Sequence, residues 1–272
     1  MPDEMSLHAT TRRRVIPATA APPPARRFAL GALDDLLCGG CLPGEVWCVE
    51  GAPGTGKTLL GLHFLAAGCA AGEAGLYITA AETPARTAQF FARHWPDLEA
   101  AVKQQQLAVL DPSPFFTELR LARERRSRGR VDAWDEVWRF VQDVTRQSRN
   151  QGARRIVIDP LTPLLLAHES AIDLWDTVQT LVGALGENVG ATTLLAHAAL
   201  PHPTIEAVGA ALRALATGAL RLEAHRDIGP PQVVVRAVKR RHAPLAAASA
   251  TLRIENDGHL HSDLDAERSK AA

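Results

Sequence analysis

The sequence predicts an α/β fold: a mostly parallel sheet with helices on both faces, extended by antiparallel strands near the C-terminus. Three observations carry this. Short apolar runs, among them "EVWCVE", "GLYITA", "LAVLD", "RRIVIDPL" and "ATTLLAH", alternate with segments whose apolar residues recur at helical spacing. These runs lack polar alternation, as strands covered on both faces require. The last third changes character: "GALRLEAH", "PQVVVRAVKRR" and "ATLRIENDGHLH" are separated by turn signals such as "RDIGPP" and "DG", which predicts three strands added antiparallel at one edge.

Taken in order, residues 1–27 hold "TTRRRVIPATAAPPPARR", where Pro and Ala beside charge cannot build a core, so a disordered basic arm is expected. The alternative, a twin-arginine export signal, is opposed by prolines in the apolar part that should follow the arginines. "FALGALDDLLCGGCLPG" reads as a short amphipathic stretch and a turn. "EVWCVE" is the first strand, and from Lys57 "KTLLGLHFLAAGCAAG" has helical spacing with Gly72 as its stop. After "GLYITA", Thr83 and Pro84 suit the cap and first turn of "TPARTAQFFARHW". "LAVLD" precedes an arginine-dense segment, residues 119–130, and then the amphipathic "DAWDEVWRFVQDVTRQSRNQG", ending at Gly152. "RRIVIDPL", "AIDLWDTVQTLVGALGENVG" and "ATTLLAH" continue the alternation, with loops expected to begin near "PLTPLLLAHES" and "AALPHPTIEAVGAALR". A polar tail occupies residues 263–272, leaving one domain over residues 28–262.

A chain of 272 residues with 46% hydrophobic content can bury a substantial core. Thirty Lys plus Arg balance thirty Asp plus Glu, so no global field recruits nucleic acid, and such binding would need a local patch. No apolar run approaches the roughly 18 residues of a membrane-spanning helix, and no membrane association is expected. The four cysteines, Cys38, Cys41, Cys48 and Cys69, suit a reduced, cytoplasmic compartment. Cys38 and Cys41 form a CxxC, but no second pair exists to complete a zinc site; the other reading places both in a Gly-rich turn.

The chemistry concentrates in "EGAPGTGKT". Residues Gly51, Ala52, Pro53, Gly54, Thr55, Gly56, Lys57 and Thr58 satisfy GxxxxGK[ST], between a strand and a helix as that motif requires. The glycines let successive N–H groups curl around phosphate oxygens, and the helix N-terminus adds its positive end. Lys57 reaches the terminal phosphates and the Thr58 hydroxyl ligates Mg²⁺. Asp159, closing "RRIVIDPL", is the carboxylate that would complete the metal site, partly through water. Glu82, at the end of the second strand, is either the group that orients the attacking water or a helix-capping carboxylate. His197, ending "ATTLLAH", is either a γ-phosphate sensor or a structural histidine.

With these residues in place, the chain resembles the KaiC-like ATPases of the RecA superfamily over about residues 28–260. The resemblance rests on "LDDLLCGGCLPGEVWCVEGAPGTGKT", "YITAAETP", "LAVLDPSP", "RRIVIDPLTPLL" and the closing strands around "VKRRH". It places Cys38 and Cys41 in the turn that precedes the loop. It implies ATP and Mg²⁺ as cofactors and a homo-oligomer, ring or filament, with sites between subunits. A Lys-x-Arg pair from the neighbouring subunit then reaches the γ phosphate; Lys239 and Arg241 match it, and otherwise mark a solvated strand end. Relatives carry two adjacent glutamates where this chain has Ala81 and Glu82, which predicts weak turnover. The clock members' phosphorylated Ser-Thr pair aligns with Arg213 and Ala214, which argues against autophosphorylation.

The expected function is slow ATP hydrolysis that controls a protein partner. One alternative is a nucleotide-gated scaffold with little hydrolysis. Another is a recombinase-like DNA-binding ATPase, disfavoured because the loops after the Asp159 and His197 strands lack Lys, Arg and stacking aromatics; the arm and residues 119–130 hold the arginines instead.

Overall fold

The structure, a computed structural model, describes residues 24–112, 117, 133–165, 171–225, 231–241, 244–245, 249–255 and 257–262. Most of the expected arm, the tail and the arginine-dense residues 119–130 lie outside the described residues.

In chain order the elements are α1 (Gly31–Leu36), β1 (Val46–Gly51), α2 (Lys57–Ala70), β2 (Gly75–Thr79), α3 (Pro84–His94), α4 (Pro96–Lys103), β3 (Leu107–Leu110) and α5 (Ala133–Gln151). There follow β4 (Arg155–Asp159), the one-turn α6 (Thr162–Leu165), α7 (Ala171–Ala184) with a π-helical turn at Leu185–Val189, β5 (Thr192–Ala198) and α8 (Pro203–Leu215). The chain closes through β6 (Gly218–His225), β7 (Gln232–Arg240), β8 (Ser249–Ile254) and β9 (Leu260–His261). One nine-stranded sheet results, in the order β3-β2-β4-β5-β1-β6-β7-β8-β9.

The central strands are buried along their whole length, as their unbroken apolar runs require. Because successive side chains alternate in direction, each strand feeds two cores. Trp47, Val49, Tyr77, Val157, Leu194, Leu220 and Leu222 meet Leu60, Leu62 and Leu65 of α2 on one face. Val46, Cys48, Ile156, Ile158 and Leu195 meet Phe140, Val144, Val178, Leu181 and Val208 of α5, α7 and α8 on the other.

The helix ends follow their local chemistry. Beyond α2, Gly72 has φ +76°, and Glu73 N donates to Gly68 O at 2.9 Å while Gly72 N donates to Cys69 O at 3.0 Å, which satisfies carbonyls left open by the last turn. Thr83 Oγ1 accepts from Arg86 N at 3.4 Å at the head of α3. Helix α4 is an addition to the sequence expectation, started by Pro96 with Asp97 and Glu99 in its first turn.

The closing strands are antiparallel to one another as expected, but the first of them joins the sheet in parallel: β6 pairs with β1, Trp47 with Gly218 through Gly51 with Leu222, and only then meets β7 antiparallel. The reason is α8: "AALPHPTIEAVGAALR", expected as a loop, forms a 13-residue helix and supplies the crossover that a parallel neighbour needs. The antiparallel pairing begins with β7 and continues through β8 and β9.

Ahead of residue 28 the chain is tied to the sheet. Arg26 exchanges main-chain hydrogen bonds with Cys41, at 2.6 and 3.0 Å, and donates through Nη1 to Thr192 Oγ1 at 2.6 Å. Glu73 accepts from Arg26 Nε at 3.2 Å and from Arg155 Nε at 2.5 Å. The Arg155 guanidinium lies over the Phe64 ring. Cys38 and Cys41 flank the turn between α1 and β1, Cys38 exposed and Cys41 buried, both as free thiols.

Candidate nucleotide site

β1 delivers Gly51 to the head of α2 through a loop whose shape depends on missing side chains. A Cβ on Gly51 would lie 2.5 Å from Thr55 Oγ1 and 2.7 Å from Leu222 O, so only hydrogen fits. Gly54 and Gly56 have φ of +77° and +89°. Thr55 closes the curl, its Oγ1 donating to Ala52 O at 2.9 Å, while Pro53 and Gly54 are exposed at its rim. The first amides of α2 have no acceptor within the helix, so they and its dipole favour an anion at this point.

Two side chains from the head of α2 complete the floor. Lys57 Nζ donates to Gly51 O and Ala52 O, both at 2.8 Å. Thr58 Oγ1 donates to Asp159 Oδ2 at 2.6 Å, reaching past β5 to the end of β4. Burial raises the Asp159 carboxyl above its usual range, against the Thr58 hydrogen bond and the Lys57 charge, which lower it. Burial likewise lowers the Lys57 ammonium, opposed by Asp159. A hydroxyl and a carboxylate side by side are hard oxygen donors suited to Mg²⁺, and the ammonium beside them suits phosphate. The residues present therefore fit a triphosphate with its metal.

The remaining candidates lie apart from this floor. Glu82 turns outward, its Oε2 3.8 Å from Arg86 Nη1 on the exposed start of α3. Ala81 N donates to Thr79 Oγ1 at 3.2 Å. Among the described residues, Glu82 makes no hydrogen bond with Lys57, Thr58 or Asp159. His197 is 1% exposed, with Nδ1 3.2 Å from Thr162 Oγ1 and its ring against Gly209. Burial lowers its pKa, opposed by Glu50. Lys239 and Arg241 meet the last turn of α8: Lys239 Nζ donates to the carbonyls of Arg213, Ala214 and Ala216 at 2.9, 2.6 and 2.9 Å, and Arg241 Nη2 to Ala214 O at 2.7 Å. Cations at a helix C-terminus complement its dipole, so within this chain the pair acts as a cap.

One charged residue beside the loop is missing from the sequence-based set. Glu50 ends the apolar run of β1, and its side chain is 2% exposed while it pairs with Arg213 and Arg221. A carboxylate closing an otherwise apolar strand was the available signal.

The family description "ATPase: KaiC" matches residues 29–260. A UPF0273 protein of Pyrobaculum aerophilum is 34% identical over 144 residues, which is 53% of this chain and 50% of the relative. A circadian clock oscillator protein KaiC of Parathermosynechococcus lividus is 30% identical over 152 residues, 54% of this chain and 26% of the relative. The chain spans about half the length of the first curated relatives it matches. The crystal structure of a KaiC-like protein from Pyrococcus horikoshii superposes with a TM-score of 0.67 at 22% identity, covering 89% of this chain and all of that one, and so shares the fold. With the matched family spanning the sheet, the loop and the Asp159 strand alike, the chain belongs to the KaiC-like ATPases of the RecA superfamily.

Proposed function

We propose that the chain binds ATP with Mg²⁺ at the loop of residues 51–58 and hydrolyses it slowly, at subunit interfaces of a ring or filament, to control a protein partner in the cytoplasm. The observation that carries this reading is the 2.6 Å contact between Thr58 and Asp159 with the Lys57 ammonium beside it. Main-chain amides of residues 51–58 would bind phosphate oxygens. Lys57 would exchange the carbonyls of Gly51 and Ala52 for the terminal phosphates. Thr58 and Asp159 would hold Mg²⁺, directly or through water, and the bound cation supplies charge neutralisation on the transferred phosphoryl group. Lys239 and Arg241 would leave their helix cap to stabilise the same charge in a neighbouring subunit.

The outward turn of Glu82 and the presence of Ala81 favour a second reading, a nucleotide-gated scaffold with little turnover. DNA binding ranks below both, because the loops near Thr162 and His202 remain poor in cations and aromatics.

The test measures labelled-ATP binding, phosphate release and mass in solution for the native protein and for Lys57→Ala, Glu82→Ala and Lys239→Ala. Lys57→Ala should weaken binding by about two orders of magnitude, the ~3 kcal/mol of a lost charged contact. A folded native protein that takes up no ATP with Mg²⁺ would sink the reading. Binding without phosphate release above background selects the scaffold. Release unchanged in Lys239→Ala removes the inter-subunit role.

A further inference from the structure

Glu50 lies on the face of the sheet opposite α2, immediately before the loop. Strand register sets His197 of β5 and Arg221 of β6 beside it. Arg221 Nε donates to Glu50 Oε1 at 2.7 Å, and Arg213 Nη1, from α8, donates to Oε2. Gly209, one turn before Arg213, makes room for this arrangement, since a Cβ there would lie 3.0 Å from His197 Nε2 and 3.1 Å from Arg213 Nη1. The carbonyl of that same Arg213 accepts from Lys239 Nζ at 2.9 Å.

A carboxylate removed from water is costly unless it is paired, and an apolar residue would fill a buried strand position without that cost. The charge at position 50 therefore calls for something that it holds. Its partners come from two other elements, and the α8 partner is in the turn that seats Lys239 and Arg241. The charge on Arg213 points inward to β1 while its main chain points outward to Lys239.

We propose that Glu50 is a positioning residue: through Arg213 it clamps the last turn of α8 to the mouth of the loop, so that β1 sets the seat of Lys239 and Arg241. The clamp itself follows from the side-chain network. Its consequence for ATP rests on the nucleotide-site reading above.

Two measurements separate these parts. Reductive methylation with formaldehyde, read by mass spectrometry, reports how freely each lysine amine leaves its partners. Lys239, with three carbonyl acceptors, is compared within one sample with the exposed Lys103, paired to Glu99 at 2.7 Å. Glu50→Gln and Arg213→Gln should raise the Lys239 rate relative to Lys103 by about threefold or more, as the α8 end opens locally. Leu98→Ala, a core truncation on the other face, should leave that ratio unchanged at a comparable loss of stability. Should Glu50→Gln fail to fold, Arg213→Gln carries the test, because the Arg213 side chain is already 31% exposed.

In the second measurement, both variants should weaken ATP binding by about tenfold, equivalent to ~1.4 kcal/mol. A Lys239 ratio that stays at the native value, or that rises equally in Leu98→Ala, overturns the clamp. Native-like ATP affinity in the variants, where the native protein binds ATP, overturns the consequence for ATP. A native protein that binds no ATP refutes the nucleotide reading instead, and the Lys239 ratio alone then decides the clamp.

Discussion

Acid should loosen the closing hairpin through His63. This residue lies on α2, where its Nε2 accepts the N–H of Leu260 at 2.9 Å, so the ring is neutral at that nitrogen. Its ring sits edge-on to Trp95 and to His259, at centroid distances of 5.0 and 5.6 Å. His259 stacks on Trp95 and donates through Nε2 to His94 O, while His261 pairs with Asp257. Burial first, then the charges of His259 and His261, lower the His63 pKa from 6.5 to about 4, with Asp257 opposing.

The folded pKa lies below the unfolded one, so the unfolded chain takes up the proton first as pH falls. The contribution is therefore complete above pH ~6.5 and is lost as pH falls towards 4. At 1.36 kcal/mol per unit, the loss between pH 8 and pH 5 is about 2 kcal/mol, rising to about 3 kcal/mol by pH 4. The assay is urea unfolding followed by tryptophan fluorescence at several pH values, for the native protein and His63→Gln, whose amide oxygen accepts from Leu260 without titrating. Contributions from other groups cancel in the difference between the two. Identical pH profiles would refute the assignment of this loss to His63.

Two further outcomes follow from the packing. Gly51→Ala should cost about 1–3 kcal/mol, because its Cβ meets Leu222 O at 2.7 Å and Thr55 Oγ1 at 2.5 Å, and it should abolish ATP binding; a native-like urea midpoint together with native affinity would count against the loop geometry. Arg26→Met should lower stability by about 2 kcal/mol through the loss of the Thr192 and Glu73 contacts, read from the same unfolding curves; no change would show that the segment ahead of Phe28 is not anchored by that side chain.

What was legible in the sequence was local. The glycines, Lys57 and Thr58 announce their loop by spacing, and Asp159 announces itself by ending a strand, so the local pattern is enough to assign Thr58 and Asp159 to one metal site. Gly72 and Thr83 mark helix ends through chemistry confined to a few neighbours. The direction of β6 was harder to read, because it turns on whether "PTIEAVGAALRAL" is a helix. Pro203 at its start, Glu206 in its first turn and apolar residues at 205, 208, 211, 212 and 215 are the signals for that helix. The pairing of Glu50 with Arg213 and Arg221 joins residues more than 160 positions apart, and no local pattern encodes it. The cap formed by Lys239 on α8 is hidden for the same reason, since a basic run on a strand carries no mark of the helix end that it meets.

The parallel pairing of β6 means that β1 has a ladder neighbour on each flank and no free rim. Breathing at the sheet's margins cannot expose it, so the amides of Trp47 to Val49 should be among the last to exchange with deuterated solvent. Whatever rearrangement a ligand provokes at Gly51 must be absorbed by the five residues between it and α2, against a strand that stays still.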